Sequence, residues 1–294
     1  MLKKICDKYF EMTKGQYPFF KYCPKKYHKE YINRLSSLVL GYDFDYTKPR
    51  TFNEKIRWLI YNEKLPIKCI LSDKIKVKTY ITEKIGYGHC AQIYGIWDNF
   101  DDIEFSYLPD KFVLKTTNSW YTNVIVKKKI VFKKNIDLIR KIMKERKKVQ
   151  FEYFSLEPQY RVTSQKFFVE QFLDIDIDCD YQVHCFNGKP ELIEVLYKSD
   201  KNIFVSRFYS MDWKNLPYQI DNQCPTREFT KPEFLEEMLE YAKILSAEFS
   251  YVRVDFTHTH DNKLIVLELT FTPHACKMKL GETADFELGK MINL

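Results

Sequence analysis

Tyr251-Val-Arg-Val-Asp-Phe-Thr257, His258-Thr-His-Asp-Asn-Lys263 and Leu264-Ile-Val-Leu-Glu-Leu-Thr-Phe271 read as two strands joined by a turn. Both flanks alternate apolar and polar residues, and Asp261-Asn262 supplies residues that tolerate the left-handed conformation of a tight hairpin. A two-residue loop at Asp261-Asn262 pairs His260 with Lys263, Asp255 with Glu268 and Arg253 with Thr270. On that register Val252, Val254, Phe256, Ile265, Leu267, Leu269 and Phe271 share an apolar face. Arg253, Asp255, Glu268 and Thr270 share the polar one. Directly opposed side chains have Cβ atoms about 5 Å apart, and like charges there destabilise the pairing. Two arrangements satisfy Asp255 and Glu268: a shared hard cation such as Mg2+, which takes carboxylate oxygens and substrate phosphates, or a solvated face on which Arg253 neutralises Asp255.

Composition narrows the class. The 294 residues exceed one typical domain, and 45% hydrophobic with 16% aromatic content supports a sizeable core. Eight glycines leave little material for a glycine-built phosphate loop. No apolar run is long enough to span a membrane, and residues 1–30 lack a signal-peptide core, so a cytoplasmic location is expected. The eight cysteines form no C-x-x-C pair or zinc spacing, and the six histidines form no cluster. Of the net charge of +7, residues 1–70 carry 15 Lys and Arg against 7 Asp and Glu. Their lysines interleave with Tyr9, Phe10, Tyr17, Phe19, Phe20 and Tyr22. That is the pattern of a helical cap with solvated lysines, or of a surface docking on an acidic glycan or membrane face. No nucleic-acid fold signature accompanies it.

Along the chain, Thr51-Phe-Asn-Glu54 is a capping box opening a helix to about Tyr61. A second helix starts at Ser72 or Asp73 and ends at Gly86, with Lys74 in its first turn. Residues 90–98, Lys111–Thr116 and Asn123–Val126 read as strands, the last two joined by Thr117-Asn-Ser-Trp-Tyr-Thr122. Lys115 therefore ends a strand beside a polar loop, where a cation and backbone N–H groups can meet phosphate. Residues 127–148 hold eleven basic residues against two acidic ones, giving a solvated helix or an anionic-substrate face. Phe167–Leu173 is a buried strand. The aspartates at 174, 176, 178 and 180 suggest calcium, but Ile175 and Ile177 rule out an EF-hand loop. Tyr181–Phe186 and Glu191–Tyr197 form a hairpin around Asn187-Gly188, and residues 232–249 an amphipathic helix.

Taken in order, Thr51-Phe-Asn-Glu-Lys55, Ser72-Asp-Lys74, Tyr94-Gly-Ile-Trp97, Leu108-Pro-Asp-Lys-Phe-Val-Leu-Lys115, Val169-Glu170, Asp180-Tyr181 to Phe186-Asn-Gly-Lys189, Arg253-Val-Asp255 and Glu268-Leu-Thr-Phe-Thr-Pro273 resemble the TupA-like branch of the ATP-grasp superfamily. That branch is named for teichuronopeptide biosynthesis and found in bacterial surface-polysaccharide clusters. The resemblance covers roughly residues 45–294.

It implies an α+β ATP-grasp fold, with two α+β lobes around a nucleotide cleft and an N-terminal helical extension. The expected divisions are a basic helical region at 1–70, an N-terminal lobe at 71–165 and a C-terminal lobe with the metal-binding hairpin at 166–294. By the resemblance Lys74 and Lys115 hold the ATP phosphates, and Glu170 with the Gln171, Phe172 and Leu173 backbone lines the adenine hinge. Asp180 meets the ribose, and Lys198 reaches the terminal phosphate. Asp255 and Glu268 bind Mg2+, with Thr270 where many ATP-grasp enzymes have Asn. The implied activity is a carboxylate–amine ligase that joins an amine to a uronic-acid sugar or polysaccharide through an acyl phosphate, with Arg253 steadying the oxyanion and no covalent enzyme intermediate. The alternatives are a phosphotransferase using the same ATP site and a glycan-assembly scaffold without turnover. Three positions depart from the family pattern: the loop Thr117–Thr122 has no glycine, Gln182 stands where Lys is usual, and His274-Ala275 follows Pro273 in place of a glycine-type turn.

Overall fold

Two antiparallel sheets, each with its own apolar core, divide the strands of this computed structural model, which describes residues 25–63, 65–117, 123–153, 156–161, 165–175, 179–199, 203–223 and 225–294. The aromatic stretch before residue 25, residues 118–122 of the polar loop and the aspartates at 176 and 178 lie outside the described residues. Helix α1 (His28–Leu40) comes first and ends on a left-handed Gly41. It is followed by α2 (Phe52–Asn62), α3 (Leu65–Leu71) and α4 (Lys76–Ile85).

The Thr51–Lys55 motif is explained residue by residue. The Thr51 hydroxyl accepts from Glu54 N at 3.2 Å, and Glu54 Oε2 accepts from Thr51 N at 2.9 Å, closing the expected capping box. Phe52 enters the core, and the Asn53 amide donates to Met278 O at 2.9 Å and to Asp285. Lys55 Nζ donates to Ile292 O at 2.8 Å. These contacts fasten α2 to the C-terminal helix α8 (Glu282–Met291), where any side chain in place of Gly289 would run into Arg50 O, 2.2 Å from its Cβ.

The first sheet contains β1 (Ile93–Trp97), β2 (Phe112–Thr116), β3 (Val124–Val126) and β4 (Phe167–Gln171) in the order β1-β4-β2-β3. Phe112, Leu114, Phe167 and Val169 bury one face against Phe132 and Met143 of α5 (Lys129–Lys134) and α6 (Ile136–Lys147). The basic stretch expected as one helix is thus two, broken at Asn135. Strand alternation leaves Val113, Lys115 and Glu170 on the opposite face.

The second sheet contains β5 (Cys179–Phe186), β6 (Lys189–Lys198), β7 (Phe204–Tyr209), β8 (Tyr251–His258) and β9 (Leu264–Thr270) in the order β7-β6-β5-β8-β9. Asn187 and Gly188 both take positive φ, 51° and 76°, as the two-residue turn between β5 and β6 demands. Val183, Val254 and Leu269 pack against Met238 and Ala242 of α7 (Leu235–Ser246) and against Val77 and Ile81 of α4.

Two expectations about lobes change. Helices α2 to α4 pack on the second sheet, and β4, expected beyond the boundary at 165, pairs with β1 and β2. The chain therefore builds the helical cover of the second lobe first, lays down the first sheet, and then returns.

The hairpin register also differs from expectation. Thr259 N donates to Lys263 O at 3.0 Å, so the loop has three residues, His260 to Asn262, with only Asn262 left-handed at φ 61°. His258 pairs with Leu264 and Phe256 with Val266, one residue out from the expected register. A β-bulge at Leu267 then restores the pairs Asp255–Glu268 and Arg253–Thr270. Leu264 and Val266 join the core face, and Ile265 and Leu267, expected there, turn to the other side.

Candidate functional site

Between the sheets lies a cleft of about 530 Å3 whose walls carry opposite charges. From the first lobe and α4 come Lys74, Lys78, Lys115 and Glu170, and from the second sheet Asp180, Gln182, Arg253, Asp255 and Glu268. The register Gln182–Asp255–Glu268 runs straight across β5, β8 and β9, and His184–Arg253–Thr270 forms the next row. A larger cavity of about 1240 Å3 adjoins the hinge at Gln171–Asp174 but includes none of Lys115, Asp255 and Glu268, so the charged groups meet in the smaller space.

Glu170, Asp255 and Glu268 each have a cationic partner in the cleft. Arg253 forms a two-pronged contact with Asp255, Nε to Oδ1 at 2.7 Å and Nη2 to Oδ2 at 2.6 Å, and Gln182 Nε2 donates to Oδ2 at 3.4 Å. Burial nevertheless pushes Asp255 up to about 7, against the pull of Arg253. Glu268 accepts from the Thr270 hydroxyl at 3.0 Å and lies 3.5 Å from Lys74 Nζ. There burial would raise the carboxyl, but Lys74 and Arg253 outweigh it and hold Glu268 below its ordinary value. Asp180 is pushed up to about 6, by burial first and by Glu268 second. Across the cleft Glu170 contacts Lys115 Nζ and lies 3.0 Å from Lys78 Nζ, and these lysines keep it ionised despite burial. Burial drags the Lys115 ammonium below its ordinary value, and Glu170 only partly restores it.

The hinge follows β4 directly: Gln171, Phe172 and Leu173 line the cleft beside the apolar groups Ala91, Val113, Ile265 and Leu267. Lys74 is anchored through its backbone, its N–H donating to Thr117 O at 2.9 Å, which fixes the start of α4 to the end of β2. Asp73 Oδ1 accepts from the N–H groups of Ile75 and Lys76 at 2.9 and 3.1 Å, the N-cap pattern that sets Lys74 at the entry to α4.

Of the residues expected in the site, the structure gathers Lys74, Lys115, Glu170, Gln171, Phe172, Leu173, Asp180, Arg253, Asp255 and Glu268, with Thr270 bonded to Glu268. It does not bring in Lys198. That side chain is exposed near the end of β6, outside the cleft lining, with its ammonium 5.6 Å from the centre of the Phe204 ring on the outer strand. Lys78, Val113, Ile265 and Leu267 are among the lining groups that escaped the sequence reading. Lys78 follows Lys74 by four residues, the spacing that puts two side chains on one helix face, and that signal could have found it. Nothing in the sequence marks the bulge that turns Leu267.

Past Glu268 and Thr270, His274, Ala275 and Cys276 all take positive φ of 49°, 54° and 57°. This turn is made by three side-chain-bearing residues in the left-handed region, a conformation costing roughly 1–2 kcal/mol per residue. The buried Arg57 braces it, with Nη2 donating to Ala275 O at 2.8 Å and Nη1 to Leu156 O at 2.9 Å.

Two opposed carboxylates plus phosphate oxygens form an all-oxygen set suited to Mg2+. Asp255 and Glu268 fit that set, since both project from the same face of neighbouring strands and already draw cations to themselves.

In structure the chain is similar to N5-carboxyaminoimidazole ribonucleotide synthetase in its ADP complex, at 16% identity and TM-score 0.45, over 82% of this chain and 56% of that one. It is similar to D-alanine–D-alanine ligase from Helicobacter pylori at 15% identity and TM-score 0.45, over 82% and 69%. It is also similar to an L-amino acid ligase from Bacillus licheniformis at 13% identity and TM-score 0.47, over 85% and 55%. The chain thus spans little more than half the length of the first and third. No curated protein matches it by sequence. The family model described as TupA-like ATPgrasp matches residues 54–293, which takes in both sheets and every residue gathered at the cleft, and the chain belongs to that family, with its α+β ATP-grasp fold.

Proposed function

We propose that the protein is an ATP- and Mg2+-dependent carboxylate–amine ligase. The observation that carries this reading is the opposed pair Asp255–Glu268, flanked by Arg253 and facing Lys74, Lys78 and Lys115 across one cleft. Asp255 and Glu268, with Thr270 beside them, would hold Mg2+, which when bound neutralises charge on the transferring phosphoryl group. Lys74, Lys78 and Lys115 would hold the phosphates. The adenine would lie at Glu170–Leu173 against Val113, Ile265 and Leu267, and Asp180 would take the ribose hydroxyls. Lys198 has no part in this assignment. Among the described residues no Ser–His or Cys–His pair sits in the cleft, and the cationic lining suits attack by a bound carboxylate on the γ-phosphate.

The carboxylate oxygen forms a bond to phosphorus as the bond to ADP breaks, giving an acyl phosphate. An amine then displaces inorganic phosphate to leave an amide. Arg253, on the same face beside Asp255, would steady the oxyanion of the second step. The acceptor class, a uronic-acid sugar or surface polysaccharide, rests on the resemblance to the family's polysaccharide setting. Hydroxylamine trapping tests the reading: with ATP, Mg2+ and a panel of uronates, the enzyme should yield a hydroxamate together with ADP and phosphate. A stable phosphate ester labelled from the γ position establishes a phosphotransferase instead. Absence of nucleotide binding at millimolar ATP overturns both enzyme readings and favours the scaffold.

A further inference from the structure

Helices α5 and α6 carry two apolar stripes, and the core uses one. Phe132, Ile136, Ile139 and Met143 face the first sheet. On the outer side Ile130, Val131, Leu138 and Ile142 remain 67%, 54%, 61% and 46% exposed. Within α6, Leu138 and Ile142 are four residues apart and share one helix face with Lys141 beside it, and within α5 Ile130 and Lys134 are likewise four apart. The segment 127–148 holds eleven basic residues against two acidic ones, a surplus of nine in a chain whose total is +7.

Part of that charge is engaged. Arg140 and Lys144 pair with Asp101, Lys148 pairs with Glu145, and Lys129 donates to backbone carbonyls at Ser106 and Leu108. Lys128, Lys133, Lys134, Lys141 and Arg146 have no ion pair or side-chain hydrogen bond among the described residues. The turn that receives Lys129 also presents Tyr107, 85% exposed, beside the same helix.

We infer that this face docks the protein on an anionic lipid surface. Exposed aliphatic side chains on a helical face rimmed by lysines lie at the boundary between headgroups and acyl chains, and an amphipathic tyrosine suits the headgroup level. A polyanionic glycan would engage the lysines but offers nothing to Ile130, Leu138 and Ile142. A second copy of the chain would set one basic face against another and repel.

The test is cosedimentation of the full chain with phosphatidylcholine vesicles containing or lacking about one-third phosphatidylglycerol, in about 0.1 M salt. The expected result is partition onto the anionic vesicles that weakens at least about tenfold without phosphatidylglycerol, and by a similar factor in each of two variants. One is Lys133→Glu/Lys134→Glu/Lys141→Glu and the other Ile130→Ser/Leu138→Ser/Ile142→Ser. Melting temperature and ATP binding should hold in both, since these side chains touch neither core nor cleft. Vesicle binding that survives both variants overturns the proposal, as does binding to an acidic polysaccharide with none to vesicles.

Discussion

Lys115 has two readings that a double variant separates. It neutralises Glu170 in the structure, and in the proposed reaction it holds phosphate. Replacing Lys115 with Met leaves Glu170, 6% exposed at its side chain, with Lys78 at 3.0 Å as its remaining partner. Breaking a fully buried pair costs roughly 3–5 kcal/mol. The Lys115 side chain is 21% exposed and Lys78 stays in place, so about 1–2 kcal/mol of stability is expected to go. Adding Glu170→Gln removes the stranded charge and should recover most of it. Phosphate binding should not recover. A charge-assisted contact of this type is worth about 1.5–3 kcal/mol, roughly ten- to 150-fold in affinity. Calorimetry should therefore show ATP bound at least about tenfold more weakly by Lys115→Met/Glu170→Gln than by Glu170→Gln alone, with adenosine affinity equal in the two. Equal ATP affinity in those two proteins refutes the phosphate assignment and leaves Lys115 as the counter-ion of Glu170.

Asp255→Asn should abolish Mg2+-dependent ATP consumption in a chain that still folds, with a lower melting temperature because the buried Arg253 loses its carboxylate partner; undiminished turnover would move the metal elsewhere. Asp180, raised to about 6 by burial, holds its proton more tightly folded than unfolded, so its contribution to stability is greatest below about pH 4 and declines as pH rises to about 6. Asp180→Asn should accordingly gain melting temperature relative to the parent at pH 7 and little at pH 4, as paired thermal scans would show. Ala275→Gly removes the side chain from a left-handed position and should stabilise the protein by up to about 1 kcal/mol in denaturant titration. Leu267→Asp places a charge against the proposed adenine wall and should weaken adenosine as much as ATP, unlike changes at Lys115.

Much of this molecule is readable from local chemistry. The capping box at Thr51–Glu54 and the Asn187-Gly188 turn are each fixed by residues adjacent in sequence, and both form as their side chains require. The membership of β4 is not local. Phe167–Gln171 carries no mark of which sheet it joins, and only pairing with β1 and β2, many residues earlier, decides it. The same holds for α3 and α4, whose apolar faces fit either lobe until the second sheet exists to receive them. Lys198 shows the converse limit. It falls on the strand face shared by Glu194 and Leu196, yet the side chain turns outward over Phe204, a choice made by a neighbour on another strand.

The hairpin shows why Asp255 and Glu268, the proposed metal pair, were legible and the proposed adenine wall was not. Counting inward from an assumed two-residue loop pairs Asp255 with Glu268. The real loop is one residue longer, and the bulge at Leu267 takes that residue back, so the pairs beyond it return to the assumed register. Only the segment between loop and bulge is inverted. There the side-chain period of two sends Leu264 and Val266 to the core and leaves Ile265 and Leu267 over the cleft. A strand of strict alternation could not offer both an apolar wall and, one residue on, a carboxylate to the same cavity. The bulge does so by putting Leu267 and Glu268 in succession on one side. Its removal is a sharp test: deleting Leu267 should restore continuous pairing and raise the melting temperature or leave it unchanged, while adenosine binding is lost. Retained adenosine affinity in that deletion would show that the wall is made by other residues.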